Sequence, residues 1–165
     1  MTMERLWAGW RSSYIESIET HSRPAGCLFC GLFELDDAEA EILERADHSF
    51  TVMNAYPYTS GHVMVAPLRH VASITELDAD EGAALMHAVQ RATATVESVY
   101  RPEGINVGAN IGRAAGAGVP GHVHIHVLPR WNGDTNFMTA VADARVLPES
   151  LRQSYEKLLA AWPPT

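Results

Sequence analysis

The sequence predicts a mainly antiparallel α+β domain, and three observations carry that prediction. Short strand-like segments stand both before and after one long helical segment. The segment 122–129 alternates polar and apolar residues, as a half-buried strand does. No repeated strand–helix–strand unit of the kind that builds a parallel sheet occurs.

Residues 1–26 read as an N-terminal arm, with Trp7, Trp10 and Tyr14 but no clear period, and 27–165 as a single domain. Residues 41–45 and 48–54 read as two short strands, and Tyr56 to Gly61 as a loop marked by Pro57, Ser60 and Gly61. Residues 62–68 form a third strand with Val63 and Val65 on one face. Two overlapping helix-start signals follow, Ser73 with Glu76 and Asp78 with Glu81. Leu85, Met86, Val89, Val96 and Val99 then recur near helical spacing, so 79–100 reads as one long helix ended by Pro102 and Gly104. Residues 105–110 read as a strand, 112–121 as a glycine- and alanine-rich loop, and 122–129 as the last strand. Pro148 marks the start of a C-terminal helix through Leu151, Tyr155, Leu158 and Leu159.

A formal charge of −8 argues against a nucleic-acid partner, because displacing phosphate counterions needs a basic surface. A small phosphate ligand needs only a few local donors and stays allowed. No apolar run approaches the roughly 20 residues of a membrane span. The N-terminus has no secretory pattern, so a cytoplasmic protein without membrane partners is expected. No P-loop sequence is present.

The chemistry concentrates in His122-Val123-His124-Ile125-His126. On a strand the three imidazoles share one face and span roughly 13 Å, so they cannot meet at one atom. Each has its own task, or the ligand is long. A polar strand face and a metal site are the competing readings, and the metal reading needs ligands from elsewhere. The loop Asn110 to Gly118 stands directly before this strand, and its small residues let backbone N–H groups approach an anion.

The segment His122–Arg130 resembles the signature of the histidine-triad family. Asn54 to His62 and Pro67 to His70 resemble the family's nucleoside-pocket strand and the segment after it, and Arg113 to Gly118, Pro129 to Trp131, Gly133 to Phe137 and Leu6 to Arg11 are close to the family's bacterial diadenosine-tetraphosphate phosphorylase branch. The resemblance covers roughly residues 4–150. It implies a sheet of about five antiparallel strands with one long helix and a homodimer joined through that helix and the fourth strand. It implies His124 as the nucleophile that forms a nucleotidyl-histidine, with its second ring nitrogen held by a backbone carbonyl. The substrate-binding set it implies is Asn54, His62, Asn110, Gly116, Gly118, His126 and Trp131. Asn54 would contact ribose, Asn110 would lie near the scissile bridge, and Trp131 reads equally as base-stacking or packing. The expected reaction is phosphorolysis of diadenosine tetraphosphate by inorganic phosphate, giving ADP and ATP, with Mg²⁺ accompanying the polyphosphate. Hydrolysis by the same nucleophile, phosphoramidate cleavage and a non-catalytic nucleotide-binding module are the alternatives. One departure stands out: Gly116 is followed by Ala117 and Gly118 rather than by a hydroxyl residue, leaving backbone N–H groups to bind phosphate there.

Cys27-Leu28-Phe29-Cys30 has the spacing of a zinc half-site. The resemblance implies His70 and His122 as the other two ligands of a structural zinc, against free thiols in a turn.

Overall fold

A computed structural model describes residues 26–134 and 147–164. The arm assigned to residues 1–26 therefore falls, except for Gly26, outside the described residues, as do Thr135, Asn136, Phe137 and His21. Five strands form one sheet in the order β1-β2-β3-β5-β4: β1 (Ile42–Arg45), β2 (Ser49–Met53), β3 (Val63–Pro67), β4 (Gly104–Gly108) and β5 (Ile125–Arg130). Every neighbouring pair is antiparallel. The helices are α1 (Leu28–Phe33), α2 (Asp37–Ala40), α3 (Ala79–Tyr100) and α4 (Leu151–Ala161). The α+β class and the five-stranded sheet are as the sequence predicts.

Both helix-start signals before α3 are used. Ser73 and Glu76 cap a short 3-10 turn, and Asp78 and Glu81 cap α3 itself, each as a reciprocal capping box. The C-terminal helix departs from expectation: Ser150 caps it with Gln153, so Pro148 lies outside the cap instead of at the first helical position. The helices α1 and α2 come from a segment without a long apolar period.

The sheet buries both faces. Val63, Val65, Ile125 and Val127 point to one side and pack on Leu85, Val89, Ala92 and Val96 of α3. Ile42, Phe50, Val52, Met64 and Ala66 point to the other side and pack on Phe29, with Leu32 and Phe33 of α1 against them. Strands β2 and β3 are accordingly buried throughout, while β4 forms an edge with mostly exposed residues. Trp162 packs against the α3-side core and donates its indole N–H to Glu44 at 3.3 Å.

The β2–β3 loop is fixed by one glycine. Gly61 has φ +79°, and a Cβ there would stand 2.4 Å from the Tyr100 ring. The ring seals the loop against α3 and sets the entry of His62 into the sheet.

Arg69 ties the chain after β3 to the start of α3. Its Nε and a terminal nitrogen donate to the two Glu81 carboxylate oxygens at 2.7 and 2.6 Å. These hydrogen bonds, with the Asp78 backbone N–H, hold Glu81 down at about 2 against an ordinary 4.5. A carboxyl whose pKa falls on folding adds stability above its unfolded pKa and loses it as pH drops toward the folded one. Urea midpoints measured from pH 6 to 2 should therefore fall less steeply for Glu81→Gln than for the parent between about 4.5 and 2. Equal slopes would remove Glu81 from the acid response.

Candidate functional site

The histidine segment is shaped by a proline on the neighbouring strand. The β3–β5 ladder pairs Val63 with Val127 and Val65 with Ile125, so the next partner of Val123 is Pro67. Proline has no N–H to give, and the ladder stops there. The Val123 N–H instead donates to the Val71 carbonyl at 2.7 Å. The strand expected over 122–129 thus begins at Ile125, while the three imidazoles still lie on one side, Phe29 packing on His122 and His124 and His126 standing beside His124. His122 and His124 precede the ladder, and only His126 lies within it, opposite Met64.

Backbone groups and neighbouring side chains fix where each imidazole keeps its proton. His124 Nδ1 lies 2.9 Å from the His122 carbonyl oxygen. A carbonyl only accepts, so Nδ1 carries the proton and Nε2 keeps the lone pair. This is the backbone carbonyl expected behind the nucleophile. His124 is buried, and burial lowers its pKa against the opposing pull of that hydrogen bond. The ring is therefore neutral near pH 7.

His62, fully buried, carries the reverse tautomer. The Tyr58 backbone N–H donates to its Nδ1 at 3.1 Å, so Nε2 holds the proton and donates to His126 Nδ1 at 3.0 Å. His126 in turn has its proton on Nε2. Asn54 supports the chain: its Oδ1 accepts from the Tyr56 N–H at 3.0 Å, which turns its amide NH₂ toward His62 Nδ1 at 3.2 Å.

A cavity of about 440 Å³ opens beside these rings. Asn54, Asn110, Gly116, Gly118, His124 and His126 all line it. Asn110 reaches the Gly116 carbonyl at 3.4 Å, closing the glycine-rich loop, and Gly116 takes φ +84°. His62 stands behind His126 rather than on the wall. Trp131 lines neither described cavity; its ring packs edge-on to Tyr100 at 6.3 Å. A second cavity of about 370 Å³ shares His126 and is bounded by Thr59, Asn106, Arg130 and Asp134.

The apolar wall of the first cavity is Leu28, Phe29 and Leu32 of α1 with Val52 and Met64 of the sheet. The sequence reading did not find α1. The signal was present in the apolar residues Leu28, Phe29, Leu32 and Phe33, one and four apart, but six residues are too few for a clear period.

Four further side chains converge behind His124. The ligand atoms of Cys27, Cys30, His70 and His122 all lie within 4.8 Å of one another. His122 Nδ1 is 3.3 Å from Cys27 Sγ and 3.7 Å from Cys30 Sγ, and His70 Nδ1 is 3.6 Å from Cys30 Sγ. Tetrahedral zinc with ordinary bond lengths sets sulfur and nitrogen ligands about 3.6 Å apart, so the donor set fits. The Pro67 carbonyl accepts from His122 Nε2 at 2.9 Å, which leaves Nδ1 with its lone pair toward the thiols. The four residues named from the sequence are thus brought together, from α1, the loop after β3 and the segment before β5.

Comparison with known proteins gives consistent results. Residues 36–133 match the HIT domain. The chain is 36% identical to an AP-4-A phosphorylase of Mycobacterium tuberculosis, over 97% of this chain and 85% of that one. It is 32% identical to a bifunctional bis(5'-adenosyl)-triphosphatase/adenylylsulfatase of Arabidopsis thaliana, over 78% of this chain and 68% of that one. Among solved structures, a Zn-bound histidine triad family protein from Mycobacterium smegmatis superposes with a TM-score of 0.66 at 28% identity, covering 83% of this chain and 93% of that one.

The ring-proton assignments are directly measurable. Nitrogen-15 NMR of histidine-labelled protein at pH 7 should show His124 protonated on Nδ1, and His62 and His126 on Nε2. In His62→Phe the His126 resonances should become those of a tautomer mixture while His124 keeps its pattern. A His124 proton on Nε2 would contradict the assignment.

Proposed function

The chain belongs to the HIT family, on the AP-4-A phosphorylase branch, and from that premise we propose that it is an enzyme that cleaves diadenosine tetraphosphate with inorganic phosphate, giving ADP and ATP. The observation that carries the reading is the neutral His124, its Nδ1 proton engaged by the His122 carbonyl and its Nε2 lone pair left for attack in a nucleotide-sized cavity.

The steps follow from the tautomers. His124 Nε2 attacks the α-phosphorus, a P–N bond forms, and the bridging P–O bond breaks with its electrons leaving on ATP. His126 offers its Nε2 proton to the phosphate oxygens, where charge accumulates. An oxygen of inorganic phosphate then attacks the same phosphorus, the P–N electrons return to Nε2, and ADP leaves. The apolar wall from α1 suits a base, Asn54 at the cavity suits ribose, and the second cavity beyond His126 suits the departing polyphosphate. The Gly116 and Ala117 N–H groups are taken by the Arg113 and Gly112 carbonyls, so in this loop the Gly118 N–H suits the incoming phosphate. Mg²⁺ accompanies the polyphosphate as its counter-ion. Cys27, Cys30, His70 and His122 would hold a zinc ion; with every ligand supplied by protein it would support structure and offer no open position for chemistry.

A homodimer fits the surface. Among the described residues strand β4 pairs only with β5 and leaves its outer edge open, and Val107 on it and Met86 on α3 are 49% and 51% exposed. Such an edge pairs readily with a second copy of itself. The reading also places the enzyme in the cytoplasm, acting on small nucleotides. No helix among the described residues is long and apolar enough to cross a membrane.

Product analysis tests the reaction. Diadenosine tetraphosphate with phosphate should give ADP and ATP, and His124→Ala should lose turnover by on the order of 10⁴-fold or more. AMP and ATP formed equally without phosphate would make the enzyme a hydrolase like the triphosphatase relatives.

Gly118→Val should raise the KM for phosphate far more than that for the dinucleotide. An unchanged phosphate KM would remove the loop from acceptor binding.

Protein purified without chelator should carry one zinc per chain by elemental analysis. Cys27→Ser and Cys30→Ser should each carry much less. Absence of zinc in the parent would end the metal assignment.

A further inference from the structure

Phe29 stands between the metal ligands and the nucleophile. It lies in the first turn of α1, between Cys27 and Cys30, and is fully buried. Its ring centroid is 4.8 Å from that of His124 and 5.3 Å from that of His122. His126 closes the other side of His124, edge-on at 4.9 Å. One hydrogen bond, Nδ1 to the His122 carbonyl, is a pivot about which an imidazole can still tilt. The aromatic ring packed against it removes that freedom.

Phe29 packs on Phe50 and its neighbours on the sheet, and its position along the His124 ring is set by α1, which cannot hold itself. Six residues are well below the length at which a helix is stable alone. Its Cys27 cap makes no side-chain hydrogen bond to the helix. The far end is tied by Arg45, whose guanidinium donates to the Phe33 carbonyl at 2.7 Å. At the end that carries Phe29, the polar side-chain anchors among the described residues are the two cysteines, directed at His70 and His122.

We infer that Phe29 is a positioning residue through which the Cys27, Cys30, His70 and His122 site controls the nucleophile: ligation pins the first turn of α1, and that turn holds Phe29 against the His124 ring. The site then does more than stabilise the fold, because it sets how often Nε2 faces the α-phosphorus. Leu28 and Leu32 on the same helix line the cavity, so loosening α1 also opens the wall that the base rests on. This inference rests on the proposed reaction for its rate consequence but not for its geometry.

The test uses the zinc-loaded enzyme, the same enzyme stripped by chelator, and zinc-loaded Phe29→Leu. Diethyl pyrocarbonate acylates neutral imidazoles, and fragment mass spectrometry reports each histidine separately. The exposed His87, on α3, is the internal reference. The ratio of His124 to His87 acylation should rise several-fold on stripping. It should rise similarly in Phe29→Leu while that variant keeps its full zinc content. Leucine preserves an apolar wall but not a ring face, so kcat for diadenosine tetraphosphate should fall on the order of tenfold with a smaller change in KM. An unchanged ratio in zinc-loaded Phe29→Leu would overturn the inference, as would stripped, folded enzyme that keeps the parent ratio. If stripping unfolds the chain, the Phe29→Leu ratio decides by itself. If no protein turns over the dinucleotide, the reaction is wrong and the acylation ratio still decides the role of Phe29.

Discussion

An imidazole is useful only when the location of its proton is settled, and here backbone groups settle it. The His122 carbonyl takes the Nδ1 proton of His124, the Pro67 carbonyl takes the Nε2 proton of His122, and the Tyr58 N–H occupies Nδ1 of His62. Each bond uses a group whose donor or acceptor nature cannot change with pH. The results differ by design of position: a lone pair toward the cavity on His124, a lone pair toward two thiols on His122, and a proton relayed through His62 to put a donor on His126. His122 and His124 are distinguished by which backbone carbonyl each one meets, and His126 by the Nε2 proton of His62.

Those backbone atoms are placed by where the β3–β5 ladder ends. Pro67 can accept but not donate, so pairing stops at Ile125 and the preceding residues leave the sheet. The carbonyl that would have stood in the ladder is then available to His122, and the His122 carbonyl to His124. One proline therefore both ends a strand and supplies an orienting group. The buried Val63, Val65, Ile125 and Val127, locked on α3, hold the register on which this depends.

The opposite face of the sheet carries the consequences. Phe29 and the apolar side chains of β2 and β3 make a second small core there, and the cavity is cut into its edge. The convergent cysteines and histidines lie behind the same edge. The cavity, the cysteine–histidine cluster and His124 thus share walls, so a disturbance of one reaches the others through contact rather than through the length of the chain.

The sequence by itself determined the class of the fold, because period and capping are local. The alternation after His62 and the helical spacing from Leu85 to Val99 follow from side-chain direction alone, and Asp78 with Glu81 marks the helix start to the residue. Through the family resemblance it also named the residues that converge: Cys27, Cys30, His70 and His122, and Asn54, Asn110, His124 and His126 around one cavity. Alternation over 122–129 wrongly extended the last strand, because alternation cannot see that the partner strand presents a proline. Only the tertiary structure decided the tautomers of His62, His122 and His126 and the place of Phe29 against His124. A ring proton's location depends on which backbone atom stands 3 Å away, and in His62 and Pro67 that atom or its partner comes from another part of the chain. The helix that carries Phe29 is too short to announce itself by period and is specified by what it packs against.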